Sequence, residues 1–168
     1  MIVADSSSLI LLAKINHLDT ALASFKKKIV IPQKVYEEST MKTNTFDADL
    51  IKQRVKQECI ALTPIKNFKM NFKIQKDFNL GRGEAEAITL CIEHNTSLVT
   101  DDKKVINACK ILQLTFTTVP NIILALYKTG KITQIDAQLA INKLEIYGRY
   151  SQAILLHLKE ELNNEKNE

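Results

Sequence analysis

Met1-Ile2-Val3-Ala4-Asp5-Ser6-Ser7-Ser8-Leu9 decides how this chain is read. A short apolar run stops at an acid, three serines turn the chain, and the helical spacing Leu9, Leu12, Ala13, Ile15, Leu18 follows. The pattern is strand, turn, helix, with a carboxylate at the end of the strand. It returns downstream. Ile29-Val30-Ile31 is a second strand closed by Pro32, after which Val35, Tyr36 and Glu38 belong to a helix. Ser97-Leu98-Val99-Thr100 is another, ending at Asp101-Asp102 ahead of a helix over residues 105–112.

Between these landmarks, residues 47–55 read as a helix and 59–62 as a strand. Residues 63–80 alternate Lys, Asn and Phe without a clear period and are expected to be a surface connection, ordered only in part. Gly81-Arg82-Gly83 gives a turn, and residues 84–93 form a helix with Ala87, Ile88, Cys91 and Ile92 on one face. Residues 115–119 are β-rich, Pro120 opens a helix through Tyr127, and Gly130 stops it. Two amphipathic helices follow, at 136–146 and 151–162, with apolar stripes Leu139, Ile146 and Ile154, Leu155, Leu158, Leu162, before a polar tail from about residue 163. Short apolar strands alternating with helices imply an α/β domain whose parallel sheet is buried on both faces.

Composition agrees. At 168 residues and 45% hydrophobic content the chain can bury one good core. Few aromatic residues and no Trp, with scarce Gly and Pro, disfavour a sandwich or barrel. The net charge of +4 suits a polyanionic partner without requiring one. Cys59, Cys91 and Cys109 are odd in number and set far apart, so neither a disulfide framework nor a zinc site is indicated and a reducing cytoplasm is the expected location. No apolar run approaches the roughly 18 to 20 residues of a membrane span, and the basic start of a signal peptide is missing, so no membrane partner is expected.

In an open parallel sheet, ligands bind beyond the carboxyl ends of the strands, where Asp5 and the Asp101/Asp102 pair fall. Aspartate at such a turn is also a good helix N-cap, so each admits two readings. Glu38, on its helix, is expected on the solvent side unless it serves a site. Glu84 follows Gly83 in a first helical turn, where the helix dipole favours a carboxylate whatever its use. Glu86 and Glu93 are expected to be surface charge. Two acidic strand ends and two glutamates at helix starts would repel in one crevice unless protons or cations neutralise them, and hard divalent ions are the matching counter-charge. His17, His94 and His157 lack metal-ligand spacing, which disfavours zinc or a Ser-His-Asp triad.

These pieces together resemble the PIN domains, in particular the compact prokaryotic branch that includes the VapC-toxin-like ribonucleases. The resemblance is carried by Ile2-Val3-Ala4-Asp5-Ser6-Ser7, by Pro32-Gln33-Lys34-Val35-Tyr36-Glu37-Glu38, by Gly83-Glu84-Ala85-Glu86-Ala87-Ile88 and by Leu98-Val99-Thr100-Asp101-Asp102. It implies a Rossmann-like three-layer α/β/α domain over residues 1–130, with residues 131–168 added as a helical extension packed on the same domain. It also implies a metal-dependent endoribonuclease that takes Mg²⁺ or Mn²⁺ and RNA. By resemblance Asp5 is the first-strand ligand, Glu38 the acid after Pro-x-x-Val, Glu84 the helix-start acid and Asp102 the acid of the Thr-x-Asp pattern. Asp101 stands beside it, and which of the two binds metal stays open. Ser7 matches the family's small hydroxyl near the site, and the third acid, often Asp in related toxins, is Glu here. Lys14, Arg82, Lys103 and Lys104 lie near the motifs and are candidates to hold phosphates, although any exposed lysine is more often a solvated charge.

The resemblance admits a toxin role with a cognate antitoxin protein, and a homodimer. Two other readings compete. One is a catalytically weak PIN-like RNA-binding or assembly module, against which the intact acidic set argues. The other is a phosphoryl-transfer or receiver-like domain, but an aspartyl-nucleophile phosphatase wants a second acid two residues after the first, and Ser7 stands there.

Overall fold

The computed structural model describes residues 1–164 and begins with β1 (Ile2–Ala4), α1 (Ser6–Lys14), α2 (Leu18–Ser24) and β2 (Ile29–Ile31). Next come α3 (Gln33–Thr40), α4 (Phe46–Lys56), β3 (Ile60–Leu62), α5 (Phe68–Phe78) and α6 (Arg82–His94). The alternation continues through β4 (Leu98–Val99), α7 (Lys103–Ile111), β5 (Phe116–Thr117) and α8 (Val119–Lys128), and α9 (Gln134–Tyr147) and α10 (Gln152–Asn164) follow. Of the polar tail expected from about residue 163, Asn163 is still helical and residues 165–168 lie outside the described residues.

All five strands are parallel, in the order β3-β2-β1-β4-β5, and helices flank the sheet, as the α/β reading expects. The strands are only two or three residues long, and Val3, Ala4, Ile29, Val30, Ile31, Leu98 and Val99 are all buried, because helices cover both faces. The chain runs β1, β2, β3 outward in one direction, then crosses back to place β4 on the other side of β1. That reversal opens a crevice at the carboxyl ends of β1 and β4, the place where doubly wound sheets bind ligands. Ala4 pairs with Val99, so Asp5 and Thr100 leave the sheet side by side.

Three expectations are corrected. The helix read from Leu9 to Leu18 is two helices. The His17 N–H returns to the Leu12 carbonyl (2.9 Å) and Asn16 takes a left-handed conformation (φ 63°), a turn that Asn tolerates better than most residues. Residues 63–80 are not a loosely ordered connection, since most of them form α5. Asn67 caps it by accepting the Met70 N–H (2.9 Å), Met70, Ile74 and Phe78 pack inward at i, i+4, i+8, and left-handed Asn79 (φ 49°) ends it. Its period is hidden because aromatic residues stand on both faces, Phe78 packed inward and Phe68 and Phe72 71% and 68% exposed. The stripe on α9 is also not Leu139 and Ile146, which are exposed, but Ala137, Ala140, Ile141 and Leu144. Small side chains there let α9 approach α8 and α1 closely.

Glu86 and Glu93 have structural roles in place of simple surface charge. Glu93 Oε1 accepts the N–H groups of Lys66 (2.8 Å) and Asn67 (2.6 Å), fixing the entry to α5, and Glu86 Oε2 accepts the Lys34 N–H (3.3 Å). Leu155, Leu158 and Leu162 of α10 are buried in the same apolar cluster as Val3 and Leu98, so both C-terminal helices share the core of the sheet.

Candidate active site

Asp5 leaves β1 straight into α1, and its carboxylate is 2% exposed. Oδ1 accepts the Ser8 N–H (2.8 Å) and the Ser7 hydroxyl (3.0 Å), so the helix-cap reading is correct for that oxygen. Oδ2 is buried and makes no hydrogen bond of normal geometry. A cap needs one oxygen, and the second has only the nearby Thr100 hydroxyl, which closes no hydrogen bond of normal geometry with it. Burial pushes the Asp5 carboxyl above its ordinary range, while the Thr100 hydroxyl, the Ser8 N–H and the Ser8 and Ser7 hydroxyls pull it back.

Three consecutive serines serve three different carboxylates. The Ser6 hydroxyl donates to Glu38 Oε2 (3.2 Å), that of Ser7 to Asp5, and that of Ser8 to Asp101 Oδ2 (3.3 Å). Glu38 is half-buried on α3, and its Oε1 also accepts the Gly83 N–H (3.3 Å), which draws the start of α6 against α3. Glu84, one residue on, turns back to accept the Gly81 N–H (2.7 Å) as a capping partner. Burial raises the pKa of Glu84, and the charges of Asp102, Asp5 and Glu38 raise it further. The charges of those three acids therefore reach Glu84 across the crevice.

Asp101 and Asp102 divide their work. Asp102 caps α7, its Oδ1 accepting the Lys104 N–H (2.7 Å) and the Val105 N–H (3.1 Å). Asp101 does not cap α7 but turns toward α8 and accepts the Val119 N–H (3.2 Å to each oxygen). Burial pushes the Asp101 carboxyl up to about 6, with a smaller push from Asp5, while Tyr150, the Val119 N–H and Ser8 oppose it. The Tyr150 hydroxyl lies beside Asp101 but closes no hydrogen bond of normal geometry, and burial together with the Asp101 charge raises the phenol's pKa.

The expected phosphate contacts separate into two groups. Ser7, Lys14 and Lys103 line a cleft of about 570 Å³ together with Asp101 and Asp102. Its lining also includes Tyr147 at the end of α9, Arg149 and Tyr150 from the turn that follows, and His157 of α10. Lys14 holds its ammonium 5.7 Å from the centre of the Tyr147 ring, a cation–π contact across that cleft. Arg82 and Lys104 are exposed and do not line it, and the contribution of Lys104 in this structure is its backbone N–H to Asp102.

Ser6, Ser8, Thr100, Gly83 and Tyr150 were not singled out from the sequence. The serine run after Asp5 was the available signal for the first two, whereas nothing local marks Tyr150. Gly83 matters because a Cβ there would lie 2.3 Å from Glu38 Oε2, the movable end of a side chain. Gly83→Ala is therefore expected to change stability little, since the preference of a helix for Ala over Gly, up to about 1 kcal/mol, is offset by loss of the Ser6 hydroxyl and Gly83 N–H bonds to Glu38. The same methyl evicts the Glu38 carboxylate and should lower any activity that depends on it by at least about tenfold. Melting curves and turnover measured on one preparation check both halves, and unchanged turnover with an intact fold would remove Glu38 from the site.

Among the described residues, no three His, Cys, Asp or Glu side chains are already gathered around a point where an ion would sit. Each acid is held by a hydroxyl or an amide. The donor set nevertheless fits a divalent cation: it is all carboxylate oxygen, the charges of Asp102, Asp5 and Glu38 raise the pKa of Glu84, and the buried Asp5 Oδ2 closes no hydrogen bond of normal geometry.

A family model described as DUF3368: PIN domain matches residues 1–163. The crystal structure of PAE2754 from Pyrobaculum aerophilum has a similar fold, with a TM-score of 0.56 at 15% identity, over 76% of this chain and 96% of that one. No curated protein matches. The α/β fold with its acids at the switch point, and a family match across nearly the whole described chain, lead to one assignment: the chain belongs to the DUF3368 family of PIN domains, a nuclease-type fold.

Proposed function

We propose that this chain is a metal-dependent endoribonuclease that hydrolyses RNA phosphodiester bonds with Mg²⁺ or Mn²⁺ held by Asp5, Glu38, Glu84 and Asp102, with Asp101 at the edge of the set. The observation that carries the reading is the buried Asp5 Oδ2 at the β1–β4 crevice, which closes no hydrogen bond of normal geometry, together with the charges of Asp102, Asp5 and Glu38 that raise the pKa of Glu84. A bound divalent ion would act as Lewis acid toward the scissile phosphate and lower the pKa of the attacking water. The residues of the chain do the rest. Ser6, Ser7 and Ser8 aim the carboxylates, Gly83 leaves room for Glu38, and Lys14 and Lys103 stand in the adjoining cleft where phosphates on either side of the scissile bond can be held.

A toxin role with a cognate antitoxin is part of the same proposal, and an open reading frame immediately upstream would support it. The direct test incubates the purified chain with labelled structured and unstructured RNA in Mn²⁺ or in EDTA. Cleavage in Mn²⁺ that EDTA abolishes is the expected result. Binding without cleavage, under conditions where the protein is folded, would give the weak RNA-binding module instead.

A further inference from the structure

Helix α5 presents a face that nothing in the described structure covers. Phe68, Phe72 and Lys76 follow one another at i, i+4, i+8, with Lys69 and Lys73 beside them on the same outward arc, opposite the buried Ile74. Two of the chain's six phenylalanines thus stand about 70% exposed, a cost that a helix of ordinary polar residues would avoid. Lys66, just before the helix, and Lys69, Lys73 and Lys76 are all exposed, and none makes an ion pair among the described residues. Asp77 is the only acid in the helix.

The position of this face is as telling as its composition. α5 packs along α6, and Phe78 is followed by Asn79, Leu80 and Gly81, so the Lys76 end of the face adjoins the first turn of α6, which carries Glu84. From Phe68 to Lys76 the row spans roughly 12 Å at 1.5 Å per residue.

We propose that this face is a platform for single-stranded RNA, with Phe68 and Phe72 stacking on unpaired bases and the lysines holding the phosphates between them. The inference rests on the ribonuclease reading and adds to it the form of the substrate and the route by which it reaches Glu84. Unpaired bases expose π faces that a duplex keeps stacked, so exposed rings alternating with cations match a single strand better than a helix. A second copy of this chain is a poor occupant, because a two-fold interface would set Lys69, Lys73 and Lys76 against their own counterparts.

The test measures binding of a fluorescein-labelled, unstructured oligoribonucleotide to the full chain in EDTA, where no strand is cut, across a range of monovalent salt. Phe68→Ala with Phe72→Ala is expected to weaken binding by about thirtyfold, in keeping with the stacking that each ring supplies. Lys69→Ala, Lys73→Ala and Lys76→Ala together should lower the slope of log Kd against log salt by about 2, from three lost phosphate contacts on a single strand. Melting temperatures check that both variants fold, and the lysine set stands as an independent test should the phenylalanine pair disturb α5.

Wild-type chain that cleaves RNA while both variants keep its Kd and salt slope overturns the platform and leaves the ribonuclease reading intact. Wild-type chain that neither binds nor cleaves RNA removes both. Competition by poly-glutamate as effective as that by unlabelled RNA overturns the stacking assignment and leaves a peptide-binding surface. Loss of self-association in the phenylalanine variant, with RNA affinity unmoved, identifies a contact between copies and also overturns it.

Discussion

Asp5→Asn is expected to reduce divalent-dependent RNA cleavage by at least about 100-fold while the protein stays folded. Even an outer-shell partner of a metal site can be worth 10–100-fold, and the proposed site makes Asp5 a direct ligand. The substitution separates the cap that the structure shows for this side chain from the metal-binding role proposed for it. Asn retains an oxygen for the Ser8 N–H and the Ser7 hydroxyl and is as good an N-cap as Asp, so α1 keeps its start. What it loses is the charge, and with it the bare oxygen at Oδ2. An exclusively capping Asp5 predicts near-normal cleavage. Glu84→Gln is the companion experiment, because Gln can still accept the Gly81 N–H and only the charge shared with Asp102, Asp5 and Glu38 is removed. Cleavage at the wild-type rate by either variant, once contaminating nuclease is excluded by a separate purification, sinks the assigned site.

The acids at the strand ends were readable because each closes a short apolar run, and a buried parallel strand leaves few other places for a carboxylate. Glu84 was readable because Gly81 and Gly83 mark a helix start. What escaped was whatever depends on a partner distant in sequence. Ser6 meets Glu38 across 32 residues and Ser8 meets Asp101 across 93, so a serine run carries no sign of which carboxylate each hydroxyl will serve. Tyr150 arrives from the turn after α9, and only the packing of α9 and α10 brings it beside Asp101. The split between Asp101 and Asp102 was undecidable from their order, because it follows from which way α7 and α8 present their N–H groups. α5 was lost for a different reason. Periodicity assigns aromatic residues to the core, and Phe68 and Phe72 break that rule.

In EDTA the wild-type protein should become more stable as pH falls from about 6 to about 4, and Mn²⁺ should reverse the trend. Asp101, Asp5 and Glu84 all have raised pKa values in the folded chain. A carboxyl whose pKa is higher folded than unfolded binds more protons in the native state, so stability falls as pH rises through the interval between the two values, and the full cost is present above it. For Asp101 that interval runs from 3.8 to about 6. The shift corresponds to a cost at neutral pH on the order of 3 kcal/mol, worth several degrees in Tm for a chain of this size. His17 works in the opposite sense, because burial lowers its pKa and the folded state resists its proton as pH drops below 6.5. The comparison is therefore made with Asp101→Asn, which leaves His17 in place and should flatten the acid part of the pH profile. Adding Mn²⁺ supplies the missing counter-charge, and its stabilisation grows as RT ln(1 + [L]/Kd), about 2.7 kcal/mol at a hundredfold excess over Kd. Protons compete for the same oxygens, so this gain shrinks on acidification and the slope changes sign. Asp5→Asn should be more stable than wild type in EDTA, since removing a fully buried, half-satisfied charge outweighs the roughly 1–3 kcal/mol cost of an amide N–H left without an acceptor. It should also gain less from Mn²⁺. A wild-type Tm that Mn²⁺ leaves unmoved across this pH range, alongside an Asp5→Asn variant that melts lower in EDTA, would make the acids structural caps and return the crevice to an unassigned feature of the fold.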